Sequence, residues 1–370
     1  MVRAAVLQTS DNIRPYVESR PVVVEELTLA ATGPRMVKVD VEMAGLCHSD
    51  LSVVNGARTR PVPMVLGHEA SGTVIEVGPE VQAVQVGDRV AFTFQPHCGD
   101  CDLCTFSSGE RCSKAFDANI DGTLIGGATV FSREDEPVHH HTGVSAFAEQ
   151  TVVHESSVIR VDDDVPFDVA ALLGCAVTTG GGAIKNAARL QPGERVAIVG
   201  AGGVGMAALL LAKALGAESV DVVDPAVVKH EMIRELGASE IYGPGDAPLD
   251  HYDVVVEAAG VGPALETSLP MLRAGGRLVS VGLPSPTTQV SLNYLDIVSK
   301  SKSVIGSYHG SGNAIEDLGY YIDLWRQGRL PLERLVTRTV GLDDLNEAMD
   351  ALADATVMRQ LINVKSGDPA

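Results

Sequence analysis

A chain of 370 residues is too long for one small domain and suits two, and its 45% apolar and 21% charged residues are enough for packed cores and argue against disorder. The formal charge of −20 would repel a nucleic-acid duplex or an anionic membrane, and 4% aromatics with a single tryptophan, Trp325, do not make a stacking platform for single strands. Any anionic ligand must therefore be held by local donors, such as a helix N-terminus or a few placed cations.

In chain order, the opening MVRAAVLQTSDNIRPY has no sustained apolar core of a secretory signal, so the expected setting is the cytoplasm. The chain then reads as β-rich through about residue 175, with short apolar runs between Gly, Pro and Asp turns, as in SGTVIEVGPEV and VGDRVAFTF. The pattern changes at Arg195–Val199, a short apolar strand that ends in glycines. A helix is predicted from about Val204 to Leu215, closed by Gly216, then a strand at Ser219–Val223 and a helix at Val228–Leu236. Strands follow at Tyr252–Glu257 and Arg277–Val281. Strands alternating with helices imply a parallel sheet covered on both faces. From about Glu316 the tail is predicted to hold two amphipathic helices and a last strand, Gln360–Val364. The most apolar window, Val196–Ala217, is broken by five glycines and Lys213, and is better read as strand and helix than as a membrane span.

Gly200-Ala201-Gly202-Gly203-Val204-Gly205 fits G-x-G-x-x-G between that strand and helix, which is the context a dinucleotide site requires. The glycines allow a tight turn, close approach of the backbone to a pyrophosphate and tight helix–strand packing, while the helix N-terminus faces the phosphates. Asp224 lies 19 residues after Gly205, where a carboxylate binds a ribose 2′-hydroxyl and repels a 2′-phosphate. NAD is therefore expected rather than NADP.

Six cysteines occur. Cys98, Cys101, Cys104 and Cys112 lie within one loop and suit a closed structural zinc, with an iron–sulfur cluster as the alternative on spacing alone. The other two are Cys47, which opens Cys47-His48-Ser49-Asp50, and Cys175; Gly67-His68-Glu69 lies between them. Two thiolates and one imidazole, Cys47, Cys175 and His68, make a neutral zinc site with one open position, as in a catalytic zinc that lowers the pKa of a bound alcohol. A metal shared by His139, His140 and His141 is not expected, since alternate side chains of an extended strand point opposite ways.

With AGLCHSDL, LGHEASGTVIEVG, VGDRVAF, CGDCDLC…C, GCAVTTG and GAGGVG in order, the chain resembles the zinc-containing medium-chain alcohol dehydrogenases over essentially its whole length. The resemblance implies an α/β architecture: a GroES-like β-rich catalytic domain of residues 1–176 and 307–370, and a Rossmann doubly wound coenzyme domain of residues 177–306. It implies two zinc ions per subunit, NAD, a small alcohol or aldehyde as substrate, and a homodimer, or a tetramer as in bacterial relatives. Carried over by position, Glu69 lies beside the metal, behind its ligands or as an alternative ligand, Asp50 orients His68, and Ser49 takes the proton of the alcohol. His48 and Arg359 would meet the pyrophosphate, Lys229 the adenosine ribose, and Phe94 and Leu283 the substrate.

One departure stands out. Ser52 occupies the position where many relatives end the proton relay with a histidine, and serine does not titrate near neutral pH. His141 and Thr142 are expected near the substrate mouth, making it more polar. The expected activity is reversible hydride transfer between a primary alcohol or aldehyde and NAD. The alternatives are a thiol-dependent formaldehyde dehydrogenase, for which Arg58 and Arg60 would supply cations toward a carboxylated adduct, and an enzyme that keeps its NAD permanently bound. A non-catalytic descendant of the fold should have lost zinc ligands or the relay serine, and this chain has all of them.

Overall fold

The computed structural model describes residues 1–107 and 111–365. Its β-rich part is organised around the strand Met36–Leu46, in which Val37, Val39 and Val41 are buried while Lys38, Asp40 and Glu42 are partly exposed. That alternation is the two-residue period of a sheet with one face on a core. The strand lies inside a seven-stranded sheet in the order Val158–Val161, Arg89–Phe92, Ala70–Val77, Met36–Leu46, Arg359–Asn363 and Val336–Gly341, with Gln150–His154 also paired to it. The end of the chain thus returns to the β-rich part, Gln360 pairing with Leu46. A small closed barrel of Val2–Leu7, Val22–Leu29, Phe131–Arg133, Glu136–His140 and Met64–Val65 packs beside it.

The second unit is a six-stranded parallel sheet in the order Ile241–Tyr242, Ser219–Val223, Arg195–Val199, Tyr252–Glu257, Leu272–Ser280 and Ser303–Gly306. This is the Rossmann-type arrangement, and the GroES-like unit carries the other sheets. Val196, Ala197 and Ile198 are fully buried, as expected for a strand covered on both faces. The chain runs from Arg195–Val199 to Ser219–Val223 on one side, and later to Tyr252–Glu257 on the other. The order therefore reverses at Arg195–Val199, where a crevice opens at the carboxyl ends of the strands.

A long helical run, Phe167–Ala187, passes through residues 176 and 177, where the domain boundary was expected. Among the described residues it is the one helix long and apolar enough to cross a membrane, but 89% of its apolar window is buried inside the fold, as in a core helix. It widens into π-helical turns at Leu173–Val177 and Ala183–Ala187. The structure also adds elements that the sequence pattern does not show. The segment 113–141 folds into the helix Ser113–Asp121 and the hairpin Phe131–Arg133 and Glu136–His140. The strand expected at Arg277 begins at Leu272, and the tail holds a further strand, Val336–Gly341.

Candidate functional site

Cys47 follows the strand Met36–Leu46 and caps the helix His48–Val54. Asp50, in the first turn of that helix, is fully buried. Its Oδ2 accepts the Cys47 amide at 3.0 Å, and its Oδ1 accepts the Gly67 amide at 3.2 Å and lies 3.0 Å from His68 Nδ1. One carboxylate thus fixes both the loop of Cys47 and the ring of His68, and it leaves His68 Nε2 for a metal. The π-helical turn Leu173–Val177 delivers Cys175, whose Sγ lies 3.5 Å from His68 Nε2. The ligand atoms of Cys47, His68 and Cys175 all lie within 4.8 Å of one another. A zinc with bonds of about 2.3 Å to sulfur and 2.0 Å to nitrogen needs ligand separations of roughly 3.5–3.8 Å, so the trio fits.

Asp50, His68 and the two thiols set one another's charge, and a metal would displace the proton from His68 Nε2. Burial opposes ionisation of both Asp50 and His68, but their mutual attraction and hydrogen bonding override it. Asp50 is held well below the usual carboxylate range and His68 is raised to about 10. The hydrogen bond between the thiols, aided by the charges of Arg359 and His68, pushes the Cys47 thiol down, and the same bond pushes Cys175 up. These surroundings favour the thiolate form of Cys47, the form that binds a metal.

Glu69 is fully buried beside this centre, and its carboxylate is ion-paired with Arg359. Arg359 Nε donates to Glu69 Oε1 at 3.1 Å, and its Nη1 donates to the Leu46 carbonyl at 3.3 Å. Phe94 packs edge-on against His68, with ring centroids 5.5 Å apart.

The expectation for His141 needs correcting. It does not line the substrate cavity but is buried behind His68, with ring centroids 5.3 Å apart and its Nδ1 3.2 Å from Asp50 Oδ1. The strand Glu136–His140 belongs to the small barrel, and the residue after it is drawn inward by the Ser145 hydroxyl, which accepts the His141 amide at 2.9 Å. His140, on the same strand, is buried against Phe131 with centroids 5.2 Å apart, so the histidine run shares no metal.

The four remaining cysteines converge into one cluster. Their sulfur–sulfur distances are 3.4 Å for Cys101–Cys104, 3.5 Å for Cys98–Cys112, 3.7 Å for Cys98–Cys104 and 4.0 Å for Cys101–Cys112. A tetrahedron of sulfurs about one zinc has edges of about 3.8 Å, so the donor set fits a closed structural site. Backbone amides of Cys98 and Ala115 point at Cys112 Sγ at 3.4 Å, the kind of donors that stabilise thiolates.

A cavity of about 550 Å³ runs from Cys47 and Cys175 to the glycine loop. Gly200 has φ of +103°, a conformation L side chains avoid, and a Cβ at Gly205 would collide with the Gly200 carbonyl. At Gly202, by contrast, a Cβ would meet nothing within 4 Å, so the loop leaves open space over the N-terminus of the helix Gly203–Ala214. Asp224 lines the cavity and its two oxygens accept the amides of Ala201 and Ala226 at 2.7 and 2.8 Å. Val204, Lys229, His48, Ser49, Leu283 and Arg359 line the same space, Arg359 lying along Gly203. This is the cradle that a dinucleotide needs. Ser52 lines it too, but its hydroxyl donates to the His48 carbonyl at 2.8 Å. Tyr308 and His309 also line the cavity, and no motif marks them. His309 Nε2 lies 2.9 Å from the Gly174 carbonyl, and its ring stacks edge-on with Phe94 at 4.5 Å. The signal that could have found them is modest: a polar and aromatic pair just past the last strand of the parallel sheet.

Residues 33–163 match the alcohol dehydrogenase GroES-like domain, and residues 203–325 match the zinc-binding dehydrogenase family. The chain is 32% identical over 355 residues to a geraniol dehydrogenase of Castellaniella defragrans, covering 92% of this chain and 94% of that protein. Among solved structures it is similar to benzyl alcohol dehydrogenase of Acinetobacter calcoaceticus, with a TM-score of 0.89, 27% identity and coverage of 98% and 99% of the two chains. It is also similar to an alcohol dehydrogenase zinc-binding domain protein of Burkholderia ambifaria, with a TM-score of 0.90, 28% identity and coverage of 99% of each chain. With both domain types in order and a relative matched over more than nine-tenths of each chain, the chain belongs to the zinc-dependent medium-chain alcohol dehydrogenase family.

Proposed function

We propose that this protein is an NAD-dependent zinc alcohol dehydrogenase that interconverts a primary alcohol and its aldehyde. The observation that carries the reading is one continuous cavity joining the Cys47–His68–Cys175 trio to the open glycine loop. Zinc held by the trio would polarise the substrate hydroxyl, and NAD in the cradle would accept the hydride. Phe94 and Leu283 supply apolar walls for the carbon chain. Ser49, on the cavity wall beside Cys47, takes the hydroxyl proton. Ser52 cannot end a relay as a base, since a serine hydroxyl does not titrate near neutral pH and its own proton is held by the His48 carbonyl, so the proton passes from Ser49 to water at the partly exposed start of the helix His48–Val54. His48, Lys229 and Arg359 face the cofactor's charged and ribose groups. Residues 177–306 form the coenzyme unit and the rest the catalytic unit. The names of the relatives, geraniol and benzyl alcohol dehydrogenase, support a primary alcohol with an apolar body. The test is the rise of NADH absorbance when the purified protein meets NAD and a panel of primary alcohols; no rise with the zinc-loaded protein overturns the reading.

Asp224 sets the cofactor choice. Its carboxylate is oriented by two amides at the cavity wall and would clash electrostatically with a 2′-phosphate. In Asp224→Ala the KM for NAD is expected to rise about 10-fold or more, the cost of losing a charged hydrogen bond, while NADP gains ground. An unchanged ratio of NAD to NADP efficiency removes Asp224 from the account.

The protein is further proposed to form a homodimer through the edge strand Ser303–Gly306. That strand ends the parallel sheet, and beside it Tyr294, Leu295 and Val298 are exposed by 78%, 72% and 59% on a helix with no buried residue. Paired Leu295→Asp and Val298→Asp substitutions are expected to halve the mass seen by light scattering. A wild-type monomer contradicts this.

A further inference from the structure

Arg58 and Arg60 follow the helix His48–Val54 on a loop that turns at Gly56, with φ of +75°. Arg58 lines the cavity together with Phe94 and Tyr308. Phe94 packs on His68 at 5.5 Å and on Tyr308 at 6.0 Å, so Phe94 and Tyr308 belong to the metal end of the cavity, and it is on Tyr308 that the charge of Arg58 acts. The charges of both arginines act on the Tyr308 phenol, and that of Arg60 also acts on the buried His141.

Neither cation has a carboxylate partner: among the described residues no carboxylate lies within 4.0 Å of either, although the chain holds 48 acidic and 28 basic residues, and Arg3, Arg14, Arg35, Arg133, Arg326 and Arg338 are all ion-paired. Arg60 is only partly exposed, its Nη1 donates to the Thr59 carbonyl at 2.8 Å, and its Nε is buried without a partner. Burial and the neighbouring Arg58 charge both disfavour its ionised form. Two like charges held together beside an apolar wall, in a strongly acidic protein, are unfavourable unless an anion joins them.

We propose that Arg58, backed by Arg60, is a specificity-determining site for an anionic group on the substrate, most simply a carboxylate at the end remote from the hydroxyl. The proposal rests on the dehydrogenase reading for its hydroxyl end. The preferred alcohols are then hydroxy acids whose carboxylate stays at the cavity wall near Arg58 and Tyr308, while the hydroxyl reaches the Cys47–His68–Cys175 end. A planar guanidinium suits a carboxylate better than a lysine would.

The experiment compares matched pairs, 1-hexanol against 6-hydroxyhexanoate and benzyl alcohol against 4-(hydroxymethyl)benzoate, at low and high salt. In the wild type the anionic member is expected to win by about 10-fold or more in kcat/KM, an advantage that shrinks with salt. Arg58→Met is expected to lower kcat/KM for the anionic members at least about 10-fold more than for the neutral ones, and Arg60→Met to do so less steeply. Equal or better use of the neutral alcohols by the wild type overturns the proposal. So does a preference that survives both substitutions, or an Arg58→Met variant whose main change is a raised KM for NAD with every alcohol. If no alcohol is oxidised at all, it is the dehydrogenase reading that fails. Titration calorimetry with 4-methylbenzoate then decides the inference alone: binding that Arg58→Met abolishes supports it, and no binding overturns it.

Discussion

Replacing Cys175 with serine is expected to lower kcat by at least about 1000-fold and to remove one of two zinc equivalents, while the fold persists. The reason is chemical rather than steric. Serine keeps the size of the side chain, but its hydroxyl does not ionise near neutral pH, so the third anionic or imidazole donor of the trio is lost. The position is also rigid. Cys175 is 4% exposed within a π-helical turn, and the neighbouring Gly174 sits so close to the Phe92 carbonyl that a Cβ there could not be accommodated. No other thiol can swing in, because the remaining cysteines of the chain lie in the separate cluster of Cys98, Cys101, Cys104 and Cys112. Metal analysis and circular dichroism on the same sample separate the outcomes. Full zinc content with near-normal turnover would remove Cys175 from the catalytic set, and loss of folded signal would make it a core residue instead. A graded control follows from Asp50, which touches His68 and not the substrate. Asp50→Asn is expected to weaken metal affinity or activity by about 10–100-fold, the usual cost of losing a carboxylate behind a metal-ligating histidine.

How much of this was legible depends on whether a residue's role is local in the chain. The glycine loop is a strand, a turn and a helix in succession, so Gly200, Gly202 and Gly205 could be read directly, and strands Arg195–Val199, Ser219–Val223 and Tyr252–Glu257 fall where the apolar runs lie. The four-thiol cluster is likewise written in its spacing. The helix 167–187 was not legible, because it is buried on nearly all sides and its LLGCAVTTGGG core has no polar face and is rich in glycine and β-branched residues, which are weak helix formers. Strand alternation gave the parity of the His139–His141 run but not its depth, and depth decided that His141 packs behind His68 instead of at the substrate mouth. Two-residue edges such as Ile241–Tyr242 carry too little pattern to register at all. Tyr308 and His309 reach the cavity only because the chain leaves the parallel sheet there, which is tertiary information.

Arg359 shows the same limit in energetic form. By position it was expected at a pyrophosphate, and its side chain does lie along Gly203, but its guanidinium is engaged by the buried Glu69. Glu69 is 0% and Arg359 3% exposed, so removing the cation leaves a carboxylate with no water and no counter-charge beside Cys47. Arg359→Met is therefore expected to destabilise the protein by about 3–5 kcal/mol, the loss seen when one partner of a buried ion pair is deleted. Thermal unfolding of the zinc-loaded protein measures it, and a loss under about 1 kcal/mol would mean that Glu69 is solvated or neutral. The double variant Glu69→Gln with Arg359→Met separates the two jobs of the arginine. It no longer buries an isolated charge, so most of the stability should return. Tight NAD binding should not return, because the cation over the glycine loop is still missing. If the double variant regains both, Arg359 acts on the cofactor only by holding Glu69; if it regains neither, the pair braces the junction of Met36–Leu46 and Arg359–Asn363 through packing and not through charge.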